Sequence, residues 1–420
     1  MHVARKITWT LFVAQALSST GFLASATVTS IVGADLSGRA EWAGVPGAVF
    51  NLGVAGASLL LGYGMDRLGR RGALGIGFAI GVVGAVIAAW SIVLQVFPGF
   101  LIGLALMGPA SAAGTLSRFV AAEVHPPHER GRAIANVVIG GTAGTLIWPV
   151  LSVTLGPWLA GRGFSDLIWP YLVSLVLLGL SSVVIFIFLR PDPRDIARAL
   201  AREDQAGAPT TGKTSSTLSD ILRRPGAVVA MVSMIVAHAV MVMVMVITSL
   251  HMRNHQHGVP AISLTIALHV LGMFAFSILS GRAADKFGRA PVIIAGSVVL
   301  MLACVVAPLS PAFMPITFGL FLLGLGWNFC FVGGSSLLAD QLSPDERART
   351  QGLNDLLMGM VAASGSFVSG HVFAAVGYGT MGLISATLSL APLSLAVWWL
   401  LTPRNQFASH LAGGSRPASG

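Results

Sequence analysis

The chain has 420 residues, of which 55% are hydrophobic and 10% are charged, and its mean hydropathy is +0.81. Charged side chains make up about a quarter of an ordinary soluble domain, so this composition excludes that class and indicates a helical membrane protein. The 50 glycines agree with it, because small residues let membrane helices pack closely.

Predominantly apolar segments follow one another along the chain. A membrane crossing needs about 20 such residues, and the sequence contains twelve segments of this kind. The predicted spans are approximately 8–32, 43–64, 73–95, 98–120, 133–156, 168–189, 226–250, 262–281, 291–308, 312–336, 353–375 and 380–401. The first lacks a small-residue cleavage site before a polar sequence, so we expect an uncleaved helix.

Basic residues are concentrated on one side of this predicted topology. An even number of spans places both termini on the same side, and every Lys and Arg except Arg39, Arg162 and Arg253 falls there. The positive-inside rule makes that side cytoplasmic. We therefore predict a multi-pass membrane protein with both termini in the cytoplasm. The net charge of +9 then reflects topology and does not indicate nucleic-acid binding.

A motif of glycines and charges occurs twice, and its second copy lies 219 positions after the first. One copy follows the second span and the other follows the eighth. The matching residues are Gly62 and Gly281, Asp66 and Asp285, Gly69 and Gly288, and Arg70 and Arg289. A unit of six spans used twice is an internal repeat.

The repeat divides the chain into two halves. We predict an all-α integral membrane fold with twelve transmembrane helices in two pseudo-symmetric six-helix bundles. The predicted parts are an N-terminal bundle at 1–190, a cytoplasmic linker at 191–224, a C-terminal bundle at 225–403 and a cytoplasmic tail at 404–420. Charge, Pro, Gly, Ser and Thr dominate the linker, although a surface helix is expected around 194–203.

The segment G-x-x-x-D-x-x-G-R-R at 62–71 resembles the signature loop of the major facilitator superfamily (MFS) of transporters. The weaker second copy and the segment R-x-x-x-x-E…P-x-x-x-R-G-R at 118–132 support the resemblance, which extends from about residue 8 to 402. It implies two bundles around a central cavity and alternating access. It also implies close helix packing at Gly62 and contacts from Asp66 and Arg70 to the other bundle.

The resemblance implies a gating role for a set of residues near the predicted inner loops. They are Gly62, Asp66, Gly69, Arg70, Asp285, Gly288, Arg289, Arg118, Glu123 and Arg130. The alternative is that their charges only orient the chain in the membrane.

A stripe of soft ligands runs along the seventh span. At about 100° per helical residue, six of its positions fall within an arc of about 80°, while Met243 points elsewhere. These positions are Met231, Met234, His238, Met241, Met245 and Met252. Thioethers and imidazoles suit a soft ion such as Cu(I).

The eighth span adds His269 and Met273 at matching depths. Met245 and Met241 lie roughly 8 and 14 Å below Leu250, and His269 and Met273 roughly 10 and 16 Å below the outer end of the eighth span. The pattern Met241-x-x-x-Met245 followed by His269-x-x-x-Met273 is similar to the paired motif of CcoA-type copper importers. That resemblance implies metal-binding roles for these four residues and a place in the bacterial cytoplasmic (inner) membrane. His238 and Met234 are further candidates because they lie on the same stripe.

The residues of the stripe also suit roles apart from metal binding. Methionine fills gaps in apolar helices and lines flexible sites for organic ligands, and His238 would suit a hydrogen-bonded core position. His251, Met252, His255 and His257 above the stripe could form a metal-capturing mouth or an ordinary solvated loop. An organic substrate would use polar and aromatic groups in the spans. Candidates are Gln15, Ser18, Ser19, Thr20, Thr27, Asn136, Asn328, Trp148 and Trp327.

Acidic residues are absent from the middle of every predicted span. Buried ionisable groups usually mark ion pathways, so their absence weakens the hypothesis of a drug–proton antiporter. The titratable groups left within the spans are His238, His269 and His371, and we interpret His371 as structural. The sequence has no nucleophile–base arrangement or phosphate loop, so we do not expect an enzyme.

We predict a secondary active transporter, with copper uptake across the inner membrane as the leading hypothesis. The alternative is transport of a small organic compound, by a drug or multidrug exporter or by a riboflavin-type vitamin importer. No cofactor is required, and Cu(I) would be the transported substrate. The expected partners are the lipid bilayer and the transported ion or molecule, without nucleic acid, and the expected state is a monomer.

Overall fold

A computed structural model describes residues 2–126, 129–196, 218–342 and 344–402 of the chain. In these ranges the regular structure is entirely helical. The helices are α1 (His2–Ser37), a short 3-10 helix (Ala40–Gly44), α2 (Val45–Leu94), α3 (Phe97–Glu123), α4 (Arg130–Ala160), α5 (Trp169–Phe188), α6 (Leu218–Leu222), α7 (Pro225–Asn254), α8 (Val259–Phe274), α9 (Ser277–Phe287), α10 (Arg289–Val306), α11 (Phe313–Asp340), α12 (Pro344–Leu388) and α13 (Leu390–Leu401).

Proline marks the beginning of several helices. It stands in the first turn of α2, α3, α5, α7 and α8. The first N–H groups of a helix have no intrahelical acceptor, so proline loses nothing there and its fixed φ favours the helical turn. The sequence therefore specifies where these spans start.

Ten helical stretches among the described residues are long and apolar enough to cross a membrane. Two of them, Ala40–Leu94 with 55 residues and Thr350–Leu401 with 52 residues, are far longer than the about 20 residues of one crossing. Each turns back at a glycine with positive φ, 78° at Gly69 and 74° at Gly377, a conformation that glycine adopts without steric cost. Counting both arms of each gives twelve crossings, and the predicted fold class is confirmed.

The helices pack as two groups. In the first half α1 packs against α4 and α5, and α2 against α3; in the second, α7 and α8 both pack against α11, and α7 also packs against α12. The halves meet where α12 contacts α2 and the 3-10 helix, and where α8 contacts α4. We call the end that carries Gly69 and Gly288 the linker face, and the end that carries the 3-10 helix and residues 255–258 the far face.

The structure differs from the sequence prediction in two details of the helices. The signature segment remains helical through Leu68 and turns only at Gly69, so most of it is the end of a helix. The eighth span is divided into α8 and α9 at residues 275–276. The larger part of the predicted linker, including most of the surface helix expected around 194–203, and the whole predicted tail at 404–420 lie outside the described residues.

Candidate functional site

A cavity of about 340 Å³ lies between the two halves. Its walls come from α1, α2 and α3, with residues of the 3-10 helix, on one side and from α7, α8 and α12 on the other. The lining residues are Phe22, Ser25, Ala26, Thr29, Ser30, Ala43, Gly47, Phe50, Asn51, Leu104, His238, Met241, Val242, Met245, Val246, Ser249, His269, Val270, Met273 and Ala362. This lining, within the described part of the chain, includes no Asp, Glu, Lys or Arg.

The predicted ligand set on α7 and α8 lines this one cavity. Met241 and Met245 stand one helical turn apart on α7, His269 and Met273 one turn apart on α8, and His238 joins them. Residues four positions apart share a helix face, so the i, i+4 spacing brings each pair to the cavity. Met243, expected to face away, is not among the lining residues.

Met234 does not belong to the cavity wall, contrary to its predicted role. It is completely buried, and its sulfur lies 3.9 Å from Nδ2 of Asn354. An added methyl group at Gly334 would lie 2.7 Å from its Cγ, which shows how closely α11 packs on it. Met234 therefore contributes to packing below the cavity.

His269 is held against α11 by a close approach of the two helices. A methyl group added at Gly324 would overlap the carbonyl oxygen of His269, and one at Gly272 would lie 2.6 Å from the carbonyl oxygen of Phe321. These glycines bring the α8 backbone near enough for Nδ1 of His269 to lie 2.8 Å from the carbonyl oxygen of Leu320. The contact fixes the plane of the ring.

The Leu320 contact also decides where the proton of His269 resides. A carbonyl oxygen only accepts hydrogen bonds, so Nδ1 carries the proton and donates it. In the neutral ring Nε2 is then a lone-pair acceptor. Nε2 is buried without a hydrogen-bond partner in the described structure, although unsatisfied buried polar atoms are uncommon in proteins. Among the described lining residues the Ser30 hydroxyl is also buried without a partner, so a ligand could satisfy one group on each side of the cavity.

His238 is held by the indole of Trp327. The Trp327 Nε1–H donates to Nδ1 of His238 over 3.1 Å. Trp327 is itself held by stacking on Phe331, with ring centroids 4.8 Å apart, and by an edge contact with Phe274 at 6.0 Å. An indole nitrogen can only donate, so Nδ1 of His238 is the acceptor and its neutral ring carries the proton on Nε2.

Asn328 has a structural role at the break between α8 and α9. Its Nδ2 donates to the carbonyl oxygen of Met273 over 2.6 Å and to the Ser277 hydroxyl over 2.9 Å. Its Oδ1 accepts from the Ser280 hydroxyl at 2.7 Å. A helix break inside a membrane leaves backbone groups that need partners, and Asn328 supplies one directly beside the cavity.

The polar groups of the cavity are not the ones expected from the sequence. None of the predicted residues Gln15, Ser18, Ser19, Thr20, Thr27, Asn136, Asn328, Trp148 and Trp327 is a lining residue. Trp148, for example, is buried inside the first half and donates to the Thr27 hydroxyl over 3.0 Å. The lining polar residues outside the imidazoles are Ser25, Thr29, Ser30, Asn51 and Ser249. The sequence signal that could have identified Ser25 and Thr29 is their i, i+4 spacing, which places both on one face of α1.

The predicted mouth is not assembled as a metal site. Met252 is completely buried, and the His251 ring stacks on Tyr378 with centroids 4.2 Å apart. His255 contacts the carbonyl oxygen of His251 at 2.9 Å, and His257 contacts that of Pro311 at 2.8 Å. No group of three or more His, Cys, Asp or Glu residues suited to a metal occurs in the described ranges.

The repeated motif builds the same ion cluster in both halves. Nε of Arg70 lies 2.8 Å from Oε2 of Glu123, and its NH1 lies 3.3 Å from Oδ1 of Asp66. In the second half Arg289 pairs with Asp340 at 3.1 Å and with Asp285 at 2.8 Å. These pairs lie within one half each, so the expected contacts of Asp66 and Arg70 with the other bundle are not those of this structure.

The glycines of the motif differ in role. A methyl group at Gly62 or Gly281 would meet no atom of the described residues within 4 Å, so the close packing expected at Gly62 is not found among them in this conformation. Gly69 and Gly288 have φ of 78° and 97° and make the turns at the linker face. At the Gly69 turn the carboxylate of Asp192 accepts a hydrogen bond from the backbone N–H of Arg70 over 3.1 Å.

Contacts between the halves differ at the two faces. At the far face the Ser366 hydroxyl of α12 donates to the carbonyl oxygen of Gly44 over 2.8 Å. Towards the linker face the carboxylate of Asp355 on α12 acts electrostatically on the guanidinium of Arg118 on α3. Nε of Arg118 is buried without a hydrogen-bond partner among the described residues. Arg130, another predicted gating residue, donates to the carbonyl oxygen of His125 over 3.2 Å.

Relatives and solved structures agree with this architecture. The uncharacterized MFS-type transporter YdeG of Bacillus subtilis is 32% identical over 93% of this chain and 91% of its own length. The riboflavin transporter RfnT of Brucella anthropi is 29% identical over 93% of this chain and 96% of its own. The crystal structure of the nucleoside transporter NupG superposes with a TM-score of 0.64 at 16% identity, over 96% of this chain and 100% of NupG.

The family comparison covers both halves. The model of the Major Facilitator Superfamily matches residues 11–253 and, in a second match, residues 230–418. The two matches overlap at residues 230–253, within α7. With its twelve crossings and central cavity, the chain belongs to the Major Facilitator Superfamily of transporters.

Proposed function

We propose that this transporter carries a small, uncharged organic compound through the cavity between its two halves by alternating access. The observation that carries the proposal is the cavity itself, which measures about 340 Å³ and whose lining, among the described residues, includes no Asp, Glu, Lys or Arg. Sites for small organic ligands typically measure about 300–1,000 Å³ and combine apolar walls with a few polar groups.

The lack of charged side chains in the described lining supports an uncharged substrate. An ion transferred from water into an apolar site is strongly disfavoured unless an opposite charge compensates for it. The polar and sulfur-bearing side chains of the described lining are hydroxyl, amide, imidazole and thioether groups. A neutral molecule can exchange its hydrogen bonds with water for bonds to these groups, whereas an anion or cation would have no partner of opposite charge.

A flat aromatic compound fits the walls best. Phe22 and Phe50 lie on the cavity wall formed by the first half, with their ring centroids 5.9 Å apart. The wall formed by the second half carries the thioethers of Met241, Met245 and Met273. Thioethers adapt their shape and contact aromatic rings favourably. Because the similar protein RfnT is a riboflavin transporter, riboflavin is the first compound to test.

The test is riboflavin uptake by cells that can neither make nor import the vitamin. Ala26 lies on the wall opposite the methionines, so Ala26→Leu adds volume to the cavity without removing a polar group. We expect this variant to lose most uptake, while Met243→Ala, outside the cavity wall, keeps it at equal expression. If Ala26→Leu kept the same riboflavin uptake as Met243→Ala and the unmodified protein, transport through this cavity would be refuted.

Copper import is a second candidate because one observation favours it. Nε2 of His269 carries a buried nitrogen lone pair that has no partner among the residues the structure describes, and three thioethers line the same cavity. A metal-bound histidine commonly donates its other ring N–H to a backbone carbonyl, as His269 donates to Leu320. His238 fits less well as a second ligand, because the Trp327 N–H occupies its lone pair.

One pair of variants separates the two cargoes. A single Cu(I) ion does not need the space that Ala26→Leu removes, so a copper importer would keep its uptake in that variant and lose it in His269→Ala. Radioactive copper uptake is measured beside riboflavin uptake, with Met243→Ala as the common control. Loss of copper uptake in His269→Ala but not in Ala26→Leu would favour copper over the organic substrate.

We also propose the membrane location of the protein and a gating role for its two charge clusters. The bacterial relatives and the asymmetry of basic residues support a place in the cytoplasmic membrane with both termini inside. The repeated clusters at Arg70 and Arg289 are proposed to act in gating, since each ties together the helix ends that must move when the halves rock.

A further inference from the structure

The two cavity imidazoles are fixed in opposite tautomers. Nδ1 of His269 donates to the Leu320 carbonyl oxygen at 2.8 Å, whereas Nδ1 of His238 accepts from the Trp327 indole N–H at 3.1 Å. In their neutral forms His269 therefore presents a lone pair at Nε2, and His238 presents an N–H at Nε2. The same residue type supplies one acceptor and one donor.

The Nε2 atoms of the two histidines lie at different depths and would bind different parts of a ligand. His238 lies twelve residues before Leu250 on α7, and His269 lies seven residues after Ile262 on the antiparallel α8. At 1.5 Å per residue these positions differ in depth by about 8 Å, too far for both nitrogens to bind one ligand atom. The acceptor stands nearer the far face and the donor nearer the linker face.

We infer that His269 and His238 select neutral heteroaromatic substrates that carry an N–H or O–H donor at one end and a carbonyl or ring-nitrogen acceptor towards the other. This inference rests on the proposed function. The substrate donor bonds to Nε2 of His269, and the substrate acceptor receives the Nε2–H of His238. A compound whose donor is blocked leaves the His269 nitrogen buried and unpaired, which is the arrangement that proteins discriminate against most strongly.

Trp327 is a positioning residue in this arrangement. It is not among the cavity-lining residues, and it acts through Nδ1 of His238. Phenylalanine at this position keeps an aromatic ring beside Phe331 and Phe274 but has no N–H, so His238 becomes free to adopt either tautomer. The tautomer of His269 depends on Leu320 and stays unchanged.

The tautomers can be measured without any cargo. Protein labelled with nitrogen-15 at histidine is purified in lipid nanodiscs, and the ring nitrogens are observed by magnetic resonance, with His238→Gln and His269→Gln assigning the signals. We expect the proton on Nε2 of His238 and on Nδ1 of His269, and we expect Trp327→Phe to change only His238. The same tautomer at both residues would overturn the inference.

Binding completes the test, with riboflavin and its derivative methylated at the imide nitrogen as the probes. We expect methylation to weaken binding on the order of tenfold or more, and His269→Phe to remove the difference between the two probes. Opposite tautomers with equal affinity for both probes would overturn the inference. Binding of neither probe would instead count against the proposed function, while the tautomers would still decide whether the cavity offers a donor and an acceptor.

Discussion

Gly324→Ala tests the close approach that positions His269. The added methyl group would overlap the His269 carbonyl oxygen and lie 3.0 Å from the Met273 nitrogen. Overpacking of this kind costs about 1–3 kcal/mol, and loss of the bond from His269 to Leu320 adds about 1 kcal/mol. Alanine recovers about 0.5–1 kcal/mol through its higher helix propensity. The net loss of stability is therefore roughly 1–3.5 kcal/mol.

Gly359→Ala is the matched control, because a methyl group there would meet no atom of the described part of the chain within 4 Å. Thermal unfolding is followed in detergent by the loss of monodisperse protein, and uptake per molecule is measured in cells. We expect Gly324→Ala to lower both the Tm and the uptake, and Gly359→Ala to lower neither. An unchanged Tm and uptake in Gly324→Ala would refute the proposed contact between α8 and α11.

Three further predictions concern gating and topology. Asp66→Asn should reduce uptake per molecule more than surface expression, since it weakens the charge cluster on Arg70; unchanged uptake would remove the gating role. Arg118→Gln and Asp355→Asn should each shift the balance between the two transport states by about 1 kcal/mol, roughly fivefold, and exchanging the two charges should restore part of the uptake. Cysteines replacing Arg253 and Arg70 should react from opposite sides of the membrane, and labelling from the same side would contradict the predicted orientation.

The sequence by itself determined the class, the number of crossings and the internal repeat. These properties depend on local composition, because about 20 apolar residues are required wherever a helix crosses the bilayer. It also determined which side chains share a helix face. Helical periodicity alone brings Met241 with Met245, and His269 with Met273, to one side of their helices.

Only the tertiary structure decided which of these helix faces line the cavity and which are buried in the packing between helices. Ser25, Thr29 and Asn51 line the cavity although the sequence favoured other polar residues of the first half, because the rotation of a helix is set by its neighbours. Likewise Met234 and Met252 share the stripe of Met241 but are completely buried and do not line the cavity.

The chemistry of the two cavity histidines was decided in the same way. His269 and His238 look alike in the sequence, each on an apolar helix at a depth suited to a ligand. Their tautomers are set by Leu320 and Trp327, which lie 51 and 89 positions away along the chain. Hydrogen bonds between such distant residues exist only after the helices pack, so periodicity could identify the two imidazoles but not which is the donor and which the acceptor.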